Sequence, residues 1–547
     1  MIQRFRSPHK KSNQAKQNLA HTKTSPPTCK SEVKAKKKAP SLSLAKTMIF
    51  SLSKVLFIAL AVLLLSSSLF IVVVDAGGGR DSNDDDTRLC DGVSSLIASG
   101  ENVDTDVLVA VDSTCRIEGA TTTINGHVIL QEGSSIEIID DATVIGKIVA
   151  KDLDGVGGGT ITVGEGASIG GIEVKKSTLV GIGITDEVHI NGDFKIKDSS
   201  SVGDVEIRGP STYISGRIII EDDSTIQGSF TMEEGVTIEE DVIIEESTIV
   251  GDLTFDETSI EGDVYVHKSS IGQTYLQQDT TVTGSSIHFE EYTGNLIFTE
   301  FGTLPAISVI QSTIVSNDLS FHASPTAAEP IDITGDITFQ GNTFLDGSSL
   351  NFGYYLNVHG QILVEENTID GEFYLDEATV NNGHDIVVTD NVVNGGYFEV
   401  WLAGTSGGGS IIVSHNTIDS IYNSPYAEGK SILEIWECNI ADNDGDDSGN
   451  IEFVGNTIKT GDVLINDNQI ETGDNNNNNN SGSGTLIVTD NTLSTHDMKI
   501  YNNVLPNVEI KDNTLMDGSM HVYSLTIDND LNIEGNTYDH LELSEPM

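Results

Sequence analysis

From about residue 100 to residue 540 the chain alternates apolar and polar positions in short bursts. Ile510-Lys511-Asp512-Asn513-Thr514-Leu515 is one such burst, and Ile386 with Val388 belong to another. A period of two in runs this short, rich in Thr, Val and Ile, predicts strands and excludes helices. The bursts recur around an asparagine: Phe339-Gln340-Gly341-Asn342-Thr343-Phe344, Val364-Glu365-Glu366-Asn367-Thr368-Ile369, Val388-Thr389-Asp390-Asn391, and Val413-Ser414-His415-Asn416-Thr417-Ile418. Asn491, Asn513 and Asn536 carry the same pattern. Successive asparagines from Asn342 to Asn439 are 25, 24, 25 and 23 residues apart, and those from Asn491 to Asn536 are 22 and 23 apart. A fixed period of this size means a stack of repeating coils, not a globular core.

A coil of 22 to 25 residues holds two or three short strands, each pairing in parallel with its counterpart ~4.8 Å above and below. Asn recurring at one bend stacks amide on amide, donor to acceptor, and tolerates the left-handed backbone of such a bend. The ladder positions are Asn342, Asn367, Asn391, Asn416, Asn439, Asn491, Asn513 and Asn536. Between Asn439 and Asn491 the register stays open, because Phe453-Val454-Gly455-Asn456-Thr457-Ile458 has the better motif and Asn466 and Asn468 also compete. Upstream, Gly-Asp or related pairs mark turns at Gly192, Gly203, Gly216, Gly228, Gly251 and Gly262, and most neighbours are half a coil apart. One continuous solenoid with two kinds of turn follows: Gly-Asp repeats to about residue 300 and Asn-ladder repeats over about 331–540. Its expected size is ~19 coils and ~90 Å.

This arrangement resembles the right-handed parallel β-helix repeats of the pectin-lyase-like superfamily, whose asparagine ladders sit at such a turn. The resemblance covers residues 100–540 and is architectural. It implies an all-β fold: a single right-handed parallel β-helix over residues 100–547, preceded by a basic leader, a hydrophobic helix and an acidic linker. Left-handed hexapeptide solenoids compete, but their coils of about 18 residues do not match this period.

Residues 1–54 carry thirteen Lys or Arg and one acid, Glu32, in a disordered basic leader. Val55 to Val74 is an unbroken run of apolar or small residues, long enough to span a bilayer. It reads either as a signal peptide cut after Ala76, with Met48 as the true start, or as a retained signal anchor. Both place the body on the secretory side, extracellular or at the cell surface. Residues 77–99 form the acidic linker. With net charge −54 overall and +12 in the leader, the rest of the chain carries −66. No arginine follows Arg217, and beyond residue 300 the only cationic side chains besides His are Lys430, Lys459, Lys499 and Lys511. Such a body repels nucleic acid, anionic membranes and polyuronates and favours cations and basic partners, with glycans a further candidate. Solubility of a long repeat surface is the plainer account.

Cys90 and Cys115 are 25 residues apart, one coil, and are expected to be joined in an oxidising compartment. Cys438 stands beside Asn439 as a buried residue. Two polar insertions, Ala441–Asn450 and Glu471–Gly484, are expected to leave the rod. The second carries the chain's only glycosylation sequon, at Asn479.

The resemblance invites a search for polysaccharide chemistry. The lyases of that superfamily use a basic residue with calcium or arginine. The hydrolases share Asn-Thr-Asp, Asp-Asp, Gly-His-Gly and Arg-Ile-Lys motifs. This chain has Asp140-Asp141, Asp222-Asp223, Asp446-Asp447 and Gly383-His384-Asp385, and lacks the other three motifs. Asp442, Asp444, Asp446 and Asp447 alternate on a loop that offers Ca2+ hard oxygen ligands, departing from the EF-hand pattern in its glycine and twelfth position. Trp401 and Trp436, with Tyr397, Tyr422 and Tyr426, form either a sugar-stacking or protein-contact patch or packing beneath a loop. The reading is an exported or membrane-anchored acidic β-helix with a structural, adhesive or ligand-binding surface. A carbohydrate-active hydrolase or lyase is the alternative.

Overall fold

A computed structural model describes residues 87–544 except 93, 154–157, 300–302, 317–318, 323–330, 354, 396, 420–432, 442–448, 460, 472–483 and 495. The leader, the hydrophobic run, Asp442, Asp444, Asp446, Asp447, Asn479, Tyr422 and Tyr426 lie outside the described residues. The body is one parallel β-solenoid of about 17 turns, with no helix among the described residues, consistent with a right-handed parallel β-helix. That is fewer than the ~19 coils expected, and gives a rod of ~80 Å at the strand spacing. The shortfall comes from long coils: insertions stretch the ladder spacing to 40 residues between Asn416 and Asn456 and to 35 between Asn456 and Asn491. The first strand, Thr87–Cys90, already pairs in parallel with Asp106–Val109, so the rod begins inside the stretch read as linker.

Two faces, sheets A and B, run the length of the rod. A third, sheet C, has nine two-residue strands from Asn102–Val103 to Thr281–Val282. Beyond it most coils carry four short strands, as in Ile362–Glu365, Thr368–Ile369, Phe373–Asp376 and Ala378–Val380. Alternation places one residue in two inside, and strict in-register pairing stacks like on like: Phe298 on Phe321 at 4.7 Å, Phe321 on Phe352 at 5.4 Å, Phe373 on Phe398 at 4.6 Å. All five rings are fully buried, each contributing the large apolar burial that holds neighbouring coils together.

The ladder stands at the corner between sheets A and B. From Asn342 to Asn536 each Asn Nδ2 donates to the next Asn Oδ1 at 2.9–3.1 Å, through Asn367, Asn391, Asn416, Asn456, Asn491 and Asn513. Each backbone N–H donates to the same oxygen, as Asn342 does to Asn367 Oδ1 at 2.9 Å. The column does not stop at Asn342. Ser312 N–H donates to Asn342 Oδ1 at 2.9 Å, Tyr292 N–H to Ser312 Oγ at 3.1 Å, Ser247 N–H to Ser269 Oγ at 3.2 Å and Ser177 N–H to Ser200 Oγ at 3.4 Å. The early and late coils therefore share one column at this corner, with serine early and asparagine late. The residue ahead of each column position takes the left-handed conformation: Asp223 at 57°, Glu246 at 47°, Asp390 at 56°, Asp512 at 54°. Gly341 and Gly455 do so too.

Asn439 does not belong to the ladder. Cys438 occupies the inner position of a different corner, and Asn439, one residue on, faces out and is exposed. A shift of one residue in a strand reverses the side-chain direction, and the extra residues ahead of Leu433 put Cys438 22 residues after Asn416, where Ala403, its counterpart one coil earlier, follows Asn391 by 12. Asn456 takes the A–B corner instead. Cys438 begins a second, short ladder: its N–H donates to Asn468 Oδ1, and Asn468 N–H to Asn503 Oδ1, both at 2.9 Å. The Gly-Asp turns are a further device. Gly192 and Gly216 stack on successive coils so closely that a Cβ at Gly216 would lie 2.6 Å from the Gly192 carbonyl carbon. The Asp193 carboxylate accepts the Arg217 N–H one coil ahead at 3.0 Å.

Cys90 and Cys115 are bonded across the first two coils, with Cα atoms 5.9 Å apart. Two predictions follow from this framework. Asn391→Asp removes donors to Asn416 Oδ1, Val364 O and Thr389 O and sets a carboxylate against them, so urea unfolding should show a loss of roughly 2–4 kcal/mol. A variant as stable as the parent rejects that account of the corner. Peptide mapping without reduction should recover Cys90 and Cys115 as a linked pair, and reduction should remove about 3 kcal/mol. Finding both thiols alkylated would reject the bond.

Candidate functional site

Strict register makes columns on the outside as well as inside. On sheet B one outward column reads Asp376, Trp401, Trp436, Asn466, Tyr501, Tyr523, one residue per coil. Beside it runs Tyr374, Glu399, Glu434, Leu464, Lys499, His521. Both tryptophans of the chain stand in the first column. Their rings stack, 5.9 Å apart and 27° from parallel, and Tyr501 stacks on Tyr523 at 4.9 Å and 4°. Because the two indoles face each other, the patch is not a flat platform turned to solvent.

Carboxylates crowd the stack. Tyr397 Oη donates to Glu434 Oε2 at 2.9 Å, Trp401 Nε1 to Glu437 Oε2 at 3.3 Å, and Tyr374 Oη to Glu372. The Lys499 ammonium is 3.2 Å from Asp462. Burial, followed by the charges of Glu399 and Glu377, pushes the Asp376 carboxyl up to about 7. Burial, reinforced by Glu372 at Tyr374 and by Glu399 and Glu434 at Tyr397, also holds the two phenols protonated well above their usual range. Four buried polar atoms here have no hydrogen-bond partner among the described residues: Asp376 Oδ1, Glu377 Oε2, Trp436 Nε1 and Asn466 Oδ1. Asp376 is 9% exposed and Asn466 6%. Unpaired groups this deep cost on the order of 1–3 kcal/mol each, and their concentration on one stretch of outer face marks it.

The other candidates are dispersed. Asp140-Asp141 and Asp222-Asp223 are corner residues, all four at left-handed φ between 55° and 60°. Desolvation, followed by Asp198 and Glu246 on the adjoining coils, raises the Asp222 carboxyl. His384 is exposed at a turn where Asp385 accepts the Ser410 N–H at 2.7 Å. Cys438 is fully covered, and burial pushes its thiol up to about 12. Among the described residues no three His, Cys, Asp or Glu side chains converge as a metal site. Sequence reading found Trp401, Trp436 and Tyr397 but missed Asp376, Asn466 and Tyr501. The signal was there: once a column is set, every outward residue is fixed by counting coils, but Asn439 takes the wrong corner in that count and the register from Asn439 to Asn491 stays open.

No protein-family model matches this chain, and no curated protein matches it. The class is therefore defined by the molecule itself, an acidic parallel β-helix with an aromatic and carboxylate strip on sheet B.

A raised Asp376 has a measurable consequence. Against an unfolded value of about 4, the folded chain keeps a proton on Asp376 that the unfolded chain releases, up to about pH 7. Folding stability therefore falls as pH rises through that window and is lowest above it. Asp376→Asn is expected to melt several degrees above the parent at pH 8 and together with it at pH 4. A difference of the same size at both pH values would reject the assignment.

Proposed function

We propose that the protein is an exported or surface-anchored acidic rod that works by presentation, holding a ligand or counter-cations along its flat faces without chemical turnover. The observation that carries this reading is the strip from Asp376 to Tyr523: aromatic rings and unsatisfied polar atoms gathered on a regular outer sheet. The hydrophobic run Val55–Val74 ahead of the body supports export, and the charge of the body supports cations or basic partners. The alternating aspartates of the sequence Asp442–Asp447 support calcium as one such cation. A second reading, glycan cleavage, has one observation in its favour. Asp376, raised to about 7 beside Glu399, is an acid held protonated next to a second carboxylate, and glycosidic hydrolysis uses such a pair.

Thermal unfolding of the full chain in millimolar calcium against sodium chloride at matched ionic strength tests the first reading. Calcium is expected to raise the melting temperature, since ligand in hundredfold excess over its dissociation constant stabilises a one-site protein by ~2.7 kcal/mol, while sodium controls for screening. No calcium-specific rise removes the cation role. Release of reducing ends from pectin, alginate or neutral glucan, lost on changing Asp376 or Glu399, would establish the enzyme instead.

A further inference from the structure

We infer that sheet A carries a Zn2+ site whose ligands are His267, His288 and Glu290. The strand Val264–His267 pairs with Ser286–Glu290, so His267 stands opposite Glu290 and Tyr265 opposite His288. His288 and Glu290 are two residues apart on one strand and share a face, and His267 adds a third donor from the adjoining coil. The alternate residues Val266 and Phe289 are fully buried, which turns all three donors outward. Their side chains stay 15%, 23% and 35% exposed for His267, His288 and Glu290, so an ion can reach them from solvent.

Glu290 Oε2 lies 3.8 Å from His267 Nε2 and 3.6 Å from His288 Nε2. A proton forms no hydrogen bond across gaps of that length. Ligands ~2.0–2.2 Å from a tetrahedral ion lie ~3.4 Å from one another, close to both gaps. On the far side of the ring, Glu245 Oε1 is 3.3 Å from His267 Nδ1. An ionised carboxylate only accepts, so Nδ1 carries the hydrogen and Nε2 turns a lone pair toward Glu290. A lone pair facing a carboxylate is favourable only with a cation between them. A carboxylate on the outer imidazole nitrogen is also the usual support of a metal-bound histidine. Tyr265 stacks on His288 at 5.4 Å and 4°, which holds the second ring in plane. Among the described residues no three such side chains already meet at a point, so the ion closes the remaining edge, between the two imidazoles, by side-chain rotation. Two nitrogens and one oxygen suit Zn2+ with water as fourth ligand, and do not suit Ca2+, which takes oxygen. The site is therefore distinct from the calcium reading and from the strip on sheet B.

The purified full chain, stripped of metal with a chelator, is titrated calorimetrically with zinc chloride, alone and in the presence of excess calcium chloride. Zinc is expected to bind saturably and calcium to leave that binding unchanged. Loss of even an outer partner costs ~10–100-fold in metal affinity, so His288→Ala and Glu290→Gln are each expected to weaken zinc at least ~10-fold. Both side chains point outward, and the metal-free variants are expected to melt with the parent. Labelling of histidines with diethyl pyrocarbonate, mapped by mass spectrometry, needs no variant and decides the matter even where one fails to fold. Zinc is expected to protect His267 and His288 and to leave the exposed His384 labelled. No saturable zinc binding, folded variants that bind as the parent does, displacement by calcium, or labelling that proceeds at either histidine with zinc present overturns the site. The calcium melting test of the presentation reading is decided separately.

Discussion

The backbone amide at the A–B corner, and the side-chain oxygen that the next coil offers it along most of the rod, is the contact on which the rest of this structure depends. The left-handed residue at that corner directs an N–H inward, away from the sheets, where water does not reach. An unpaired amide there costs as much as a typical destabilising substitution. Serine supplies the oxygen in the early coils and asparagine in the late ones, from Ser200 to Asn536. Once the corner is pinned, the register of every strand follows, and with register come the stacked phenylalanines inside and the columns outside. In-register parallel strands repeat each position at a constant spacing, so a surface of this kind is written one residue per coil.

How much of this was legible in the chain depended on whether the relevant feature repeats. The asparagines did, and the solenoid, its parallel strands and the ladder from Asn342 to Asn416 followed from spacing. The serine half of the column was written just as plainly, in Ser224-Thr225-Ile226, Ser247-Thr248-Ile249 and Ser312-Thr313-Ile314, which are Asn-Thr-Ile with one residue changed. It was overlooked because the glycines nearby alternate between two different corners and imposed a half-coil rhythm. Asn439 failed for a different reason: an insertion changes the count without leaving a hydrophobic trace, and only the pairing of Cys438 with Asn468 reveals which residue turns inward.

The strip was legible in part. Trp401 and Trp436 stand out as the only tryptophans, but their neighbours in space are 25 to 37 residues away in sequence, on coils of unequal length. Asp376, unremarked among many acids, is distinguished by burial alone, which no local pattern announces. Its situation joins stability to use: a group that is costly to keep in the bare rod is poised to gain most from a partner, and natural sites commonly carry such a conflict.

The ladder also has a direction. Asn342 N–H reaches forward to Asn367, Asn367 to Asn391 and Asn391 to Asn416, always toward the later residue. Each coil is therefore finished by its successor, never by itself. A chain threaded out amino-terminus first always carries one incomplete corner in the coil that has emerged last, closed only when the following coil is laid upon it. Damage travels the opposite way: an asparagine lost from one coil leaves the amide of the coil before it open to solvent exchange. The rod is thus a polar filament in the mechanical sense, whose two ends are not equivalent even though every strand between them is built alike.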